Sequence, residues 1–290
     1  KIGDLGLVAN NLSKEKSVRL KREDYSVFQV FLVLQQIADM HGAKSVEAKI
    51  THLKQILEHV DALSAKYLVR ILLGNMRLGI GDPTVLDGLA TAKLGDKTKR
   101  KLLEKAYNET SDLGLIATTL WDKGLPGVQK LGVTVGRPIR SELCERLPNP
   151  VKVFEKMDSP KEPKETTGVQ ATPKYDGFRV QIHKNGEHVT MYSRNLEDMT
   201  HMFPELIEGT LKQVKAKTAI LDSEALAYNA ESEEFLPFQE TTKRRRKHNI
   251  EAVAKQLPLK AFVFDILYVD GKSLLDIPLM ERMKLLKETL

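Results

Sequence analysis

Apolar residues recur at helical spacing through the first half of the chain. Between Tyr25 and Met40, the residues Val27, Phe28, Val30, Phe31, Leu32, Leu34 and Ile37 make one broad stripe, which predicts a helix. The stretch from Val46 to Val60 repeats the pattern with Ile50, Leu53, Ile56 and Leu57. Ser64 is placed to cap a third helix through Leu73, which stops at Gly74. A turn-rich patch follows, Arg77-Leu78-Gly79-Ile80-Gly81-Asp82-Pro83. Thr84 to Lys93 then reads as a helix, and Thr98 is placed to cap another that runs to Tyr107. After Gly136 the pattern changes. Pro138, Pro148, Pro150, Pro160, Pro163 and Pro173 predict an extended, irregular stretch. Strands then follow, the first marked by alternation at period two. Phe178 to His183 leads through a turn containing Asn185-Gly186 back along His188 to Tyr192, and Ala219 to Tyr228 and Ala261 to Tyr268 follow. Met280 to Leu290 reads as a helix.

The helical half contains a repeat. Asp4-Leu5-Gly6-Leu7-Val8-Ala9-Asn10-Asn11-Leu12 returns as Asp112-Leu113-Gly114-Leu115-Ile116-Ala117-Thr118-Thr119-Leu120, with six of nine positions identical. The separation is too long for a solenoid and reads as a duplicated helical half-domain. The second copy is preceded by everything from Gly74 to Tyr107, whereas the first has no such counterpart. The expectation is an α+β protein: a helical domain over residues 1–136 with part of its N-terminal side missing, then a domain of antiparallel sheets over 137–290.

Composition narrows the function classes. The chain of 290 residues is 41% hydrophobic and 29% charged, with a net charge of +6. That suits a globular protein with a polyanionic partner, nucleic acid first. No apolar run approaches the ~20 residues of a membrane span. Cys144 is the only cysteine. It excludes a disulfide framework, fits a reducing intracellular setting, and reads as a packing residue. The seven histidines show no zinc-ligand spacing. The Gly-x-x-x-x-Gly-Lys-Ser/Thr phosphate loop is absent, so a nucleotide would be held in another way.

Lys174-Tyr175-Asp176-Gly177 stands just before the first hairpin. A lysine at the mouth of a sheet can attack an electrophile once its amine is neutral, and Gly177 permits close approach of a ligand. Alone, the four residues read more readily as a surface turn before a strand. Their company is more informative: Arg179 follows, Ser193-Arg194-Asn195 ends the hairpin, Asp222-Ser223-Glu224 lies in the next strand, and Phe264-Asp265 in the one after. In this order the motifs resemble those of the covalent nucleotidyltransferases, and among them the ATP-dependent DNA ligases of archaeal and eukaryotic type. The resemblance extends to Gly136-Arg137-Pro138-Ile139-Arg140 and to Arg77-Leu78-Gly79-Ile80-Gly81, and so covers essentially the whole chain.

The resemblance implies a helical DNA-binding domain followed by an adenylation domain incomplete at its C-terminal side, in a protein about twice as long. It implies that Lys174 attacks the α-phosphate of ATP to form lysyl-AMP, that AMP passes to the 5′-phosphate of a nick, and that the 3′-hydroxyl seals it. Thr172, Lys174, Asp176, Gly177, Arg179, Arg194, Glu224 and Phe264 then form the nucleotide site. Phe264 stacks on adenine, and Glu224 lies near the ribose and a Mg²⁺ ion. Many of these ligases carry glutamate two residues before the lysine, where this chain has Thr172, which loosens the choice of adenine over guanine. Arg77, Gly79, Gly81, Arg244, Arg245 and Arg246 are the candidate DNA contacts, the last three within a basic run that reads equally as a solvated face. The implied partner is nicked duplex DNA, met by a monomer in the cytoplasm or nucleoid with no membrane involved, and a sliding clamp remains open. An RNA ligase, a capping-type nucleotidyltransferase and a non-catalytic duplex-binding protein are the alternatives.

Overall fold

The computed structural model describes residues 3–15, 25–40, 44–141, 144–157, 169–244 and 249–290. Its contacts separate into two compact units, Lys1–Gly81 and Asp82–Leu290. The first unit holds α1 (Leu5–Glu15), α2 (Val27–Asp39), α3 (Ser45–His59) and α4 (Ala62–Leu72). Ser26 starts α2 through a reciprocal capping box with Gln29. At α4 the expected cap is wrong. Asp61, not Ser64, accepts the Leu63 and Ser64 N–H groups, and the Ser64 hydroxyl itself donates to Asp61. A carboxylate is the stronger acceptor at the positive end of a helix.

The second unit begins with α5 (Asp82–Leu94), α6 (Arg100–Thr110) and α7 (Leu113–Val128). They bury Leu86, Ala90, Leu103, Ala106, Ile116 and Leu120 against one another. Thr98 does not cap α6 either. Asp96 binds both its N–H and its hydroxyl, and a 3₁₀ turn over Lys97–Lys99 leads into the helix. The two copies of the repeat open α1 and α7, and in each the aspartate is the N-cap. Asp4 accepts from Gly6 and Leu7, and Asp112 from Leu115. A short helix, α8 (Pro150–Met157), interrupts the stretch expected to be irregular. Proline suits a first helical position, where no N–H is needed, and Asn149 caps the Lys152 N–H.

The sheet is antiparallel. Its strands are β1 (Phe178–Asn185), β2 (His188–Ser193), β3 (Thr218–Asn229), β4 (Glu234–Phe235), β5 (Leu259–Val269) and β6 (Lys272–Ser273), in spatial order β2-β1-β3-β5-β6 with β4 on β3. Asn185 pairs with His188, so Gly186 (φ 59°) and Glu187 form the hairpin loop. Among the described residues four helices accompany the sheet: α9 (Pro204–Gln213), α10 (Phe238–Thr242), α11 (Ile250–Gln256) and α12 (Leu279–Thr289). On one face Val180, Ile182, Leu221, Ala225 and Ile266 share a core with Met202, Phe203, Leu206 and Leu286. On the other face Ile139, Val133 and Val135 cover Ile220 and Leu267. No helix among the described residues is long and apolar enough to cross a membrane.

Candidate active site

The second sheet face is polar where the motifs converge. Arg179, Gln181 and His183 alternate along β1, and Arg179 and Gln181 lie opposite Glu224 and Asp222 of β3. The Lys174-Tyr175-Asp176-Gly177 loop is tied onto this face at its last residue. The Gly177 N–H donates to Glu224 Oε1 at 3.0 Å. A Cβ at Gly177 would run into the Ala225 carbonyl oxygen and come within 3.1 Å of the Leu226 side chain. Only glycine lets the loop lie this close to β3. Tyr175 stacks on Phe262 of β5, ring centroids 4.4 Å apart, which holds the middle of the loop. Thr172, Lys174 and Asp176 are exposed.

Burial pushes the Glu224 carboxyl above its ordinary value. The Gly177 N–H and the charges of Arg179 and Lys174 act in the opposite direction. Lys174 therefore sits within electrostatic reach of Glu224.

Arg179 is clamped. Both Nε and Nη2 donate to the Asp222 carboxylate, which is buried while the guanidinium stays part-exposed. Desolvation also raises Asp222, with Arg179 working against it. Phe264 enters through a register slip. Val263 pairs with Ser223 and Asp265 with Asp222, which leaves Phe264 as the extra residue of a β-bulge. The Arg179 guanidinium lies 5.8 Å from its ring centroid, so the bulge turns Phe264 onto the polar face. Asp265 is gripped in turn by Arg282 of α12, through bonds of 2.8 and 2.9 Å. Arg194 is exposed on the turn after β2, where Ser193 Oγ accepts the Asn195 and Glu197 N–H groups.

Thus Lys174, Gly177, Arg179, Glu224 and Phe264 gather around one patch. Sequence reasoning missed Asp222 and Arg282 as partners of Arg179 and Asp265, because the pairing depends on strand register and on α12. It also missed a second short likeness, outside that repeat. Lys130-Leu131-Gly132-Val133, after α7, echoes Arg77-Leu78-Gly79-Ile80, after α4.

The basic run departs from expectation. Arg244 does not face solvent but is 1% exposed. Its Nη2 donates to Glu205 at 2.6 Å and to the Met202 carbonyl at 3.3 Å, and its guanidinium lies over Phe203. Glu205, at the start of α9, supplies a carboxylate inside the core, and the end of α10 turns the arginine toward it. Arg244 is a core residue and leaves the set of candidate DNA contacts. Arg245 and Arg246 lie outside the described residues. In the first unit Arg77 is exposed on the loop after α4, with Gly79 (φ 67°) and Gly81.

The family model described as "ATP dependent DNA ligase domain" matches residues 142–290, and that of "DNA ligase N terminus" matches 1–90. A probable DNA ligase of Dictyoglomus turgidum is 41% identical over 100% of this chain and 47% of its own length. DNA ligase 2 of Thermofilum pendens is 38% identical over 99% of this chain and 48% of its own. The chain thus spans about half the length of the curated relatives it matches. On the match across its sheet half, the chain belongs to the family of ATP-dependent DNA ligase domains.

Proposed function

We propose that this chain forms the DNA-binding part, residues 1–136, and the adenylation part, residues 137–290, of an ATP-dependent DNA ligase. The observation that carries the reading is the loop of Lys174, pinned through Gly177 to Glu224 and set beside the clamped Arg179 and the bulged Phe264.

In this reading the Lys174 Nζ attacks the ATP α-phosphorus. An N–P bond forms, the bond to pyrophosphate breaks, and the amine proton goes to solvent. An oxygen of the 5′-phosphate at a nick then takes the adenylyl group and frees the lysine. The 3′-hydroxyl finally attacks that phosphate and expels AMP. Arg179 and Arg194 face phosphate charge with forked donors. Phe264 offers an aromatic surface for the base.

Magnesium, when bound, would offset phosphate charge. Glu224 fits it: among the described residues only one of its oxygens is used, by the Gly177 N–H. Among the described residues no three His, Cys, Asp or Glu side chains could hold a metal ion together. Mg²⁺ typically takes one or two carboxylates plus substrate phosphates, so one acidic residue suffices.

Nicked duplex DNA is the proposed substrate, bound by a monomer inside the cell, with a sliding clamp as a further partner. The test is mass spectrometry of the protein after incubation with Mg²⁺ and either ATP or GTP. The expected result is an AMP adduct on Lys174 alone. A GMP adduct would favour a capping-type enzyme, and an adduct on another lysine would reject the assignment.

A further inference from the structure

The loop after α4 is held by a clasp buried beneath it. Arg70, in the last turn of α4, is 7% exposed. Its Nη2 binds Asp4 Oδ2 at 2.5 Å and its Nη1 donates to the Met76 carbonyl at 3.1 Å. One guanidinium thus joins the start of α1 to the loop. Four further bonds fix the same loop. Gly74 (φ 64°) ends α4 with the paired Gly74-to-Ile71 and Asn75-to-Arg70 backbone bonds of a Schellman turn. Asn75 Oδ1 accepts the Arg77 N–H at 3.1 Å. Arg77 Nη2 donates to the Gly3 carbonyl at 2.8 Å, while half of its side chain stays exposed.

Asp4 has two tasks. Oδ1 caps α1 and Oδ2 holds Arg70. The bond to Arg70 comes first among the forces that hold its carboxyl down at about 2, so the pair stays charged across the working pH range. Gly6 makes the approach possible. A Cβ there would stand 2.7 Å from the Lys66 carbonyl and 2.8 Å from Arg70 Cγ. The second copy of the repeat keeps the cap and the glycine but not this use of them. Among the described residues, a Cβ at Gly114 would meet only the capping Asp112 carboxylate, at 3.3 Å. The glycine in the first copy therefore serves the clasp rather than the cap.

We propose that Asp4, Gly6 and Arg70 are positioning residues that preset the Asn75–Gly81 loop, so that Arg77 and the backbone amides around Gly79 meet a nucleic-acid phosphate without first being ordered. This rests on the reading of that loop as a DNA contact. A preformed loop binds more tightly because its ordering cost is met during folding.

The test uses the protein in its full native length. Binding to a nicked duplex is measured by fluorescence anisotropy over a salt series, beside the yield of lysyl-AMP. Asp4→Asn keeps a capping side chain but removes the charge facing Arg70. Gly6→Ala separates α1 from α4 without touching a charge. Each should weaken DNA binding roughly tenfold, with lysyl-AMP formation, which needs no DNA, unchanged. Arg77→Ala should weaken binding in the parent and much less in the Asp4→Asn background, since an unset loop no longer aims that side chain. If Arg77→Ala binds as the parent does, the DNA-contact reading of the loop falls. If Arg77→Ala weakens binding while folded Asp4→Asn and Gly6→Ala bind as the parent does, the loop reading survives and the clasp is overturned. Hydrogen exchange at the loop amides guards against misfolding: fast exchange confined to Asn75–Gly81 supports the clasp, and parent-like exchange in both variants refutes it.

Discussion

His183 gives the sheet half a defined response to acid. It is 1% exposed on the polar face of β1. Its Nδ1 accepts the Gly136 N–H at 3.0 Å, so that nitrogen carries no proton. Nε2 must then carry it and donate to Gln181 Oε1, also at 3.0 Å. Gln181 in turn bonds both the N–H and the carbonyl of Ile139. Neutral His183 is thus one end of a chain of bonds that fastens Gly136–Ile139 to the sheet, with Tyr192 adding a bond to the Gly136 carbonyl. Burial holds its pKa down at about 4 against an ordinary 6.5. Between these values the unfolded chain binds a proton that the folded chain refuses. Stability is therefore complete above about pH 6.5 and falls as the pH drops toward 4. The full gap corresponds to ~3.4 kcal/mol, of which ~1.4 is reached by pH 5.5. Urea unfolding at pH 7.5 and 5.5 should show this loss in the parent. His183→Gln, which cannot titrate, should show a loss smaller by about 1.4 kcal/mol, while the other histidines cancel between the two proteins. Equal losses would mean that His183 is not neutral in the fold, and the bonding scheme would be wrong.

Other outcomes follow from the site and the core. Lys174→Ala and Lys174→Arg should both abolish the AMP adduct, since a guanidinium stays protonated and cannot attack; mass spectrometry reads this directly. Gly177→Ala should push the loop off β3 and slow adenylation at least tenfold, about 1.4 kcal/mol in the barrier, in rapid-quench assays with labelled ATP. A parent-like rate would show that the Glu224 tie does not matter. Arg244→Met leaves the part-buried Glu205 with the Leu259 N–H but without its charged partner and should cost about 3 kcal/mol in urea unfolding, the low end for a broken buried pair. A loss under 1 kcal/mol, accompanied by a flatter salt dependence of DNA binding, would return Arg244 to the surface role.

Much of this architecture is legible in the sequence because it depends on local period and local punctuation. Strand-like runs, the first alternating at period two, located β1, β2, β3 and β5, and apolar stripes located α2 and α3 to within a residue or two. The caps of α4 and of the turn before α6 went astray for one reason: an aspartate lies two or three residues ahead of the chosen hydroxyl and outcompetes it. Helices α9 to α11 were not expected, being short segments between strands whose stability comes from the sheet they cover. At the site, motif order proposed the residues but not their geometry. The bulge at Phe264 arises from the pairing of β3 with β5, which joins residues some forty positions apart. Arg244 misled because a charge run says nothing about a carboxylate on α9.

The polar face carries its charges as a matched row, and this bears on how Arg179 can act. Asp222 and Asp265 stand opposite each other on β3 and β5, the first buried and the second part-buried, and carboxylates so placed repel. Each is answered from its outer side, Asp222 by Arg179 on β1 and Asp265 by Arg282 on α12. Loss of either arginine would leave an acidic pair facing itself in a desolvated setting, so the row holds together as a unit. Arg179 is the member with a surface open to a ligand. Two of its nitrogens are held by Asp222, which fixes the plane of the guanidinium and leaves Nη1 without a partner among the described residues. A free arginine would lose side-chain freedom on meeting a phosphate, whereas this one has already lost it in folding. The sheet thus spends two carboxylates and a second arginine on holding one donor still, beside the loop that carries Lys174.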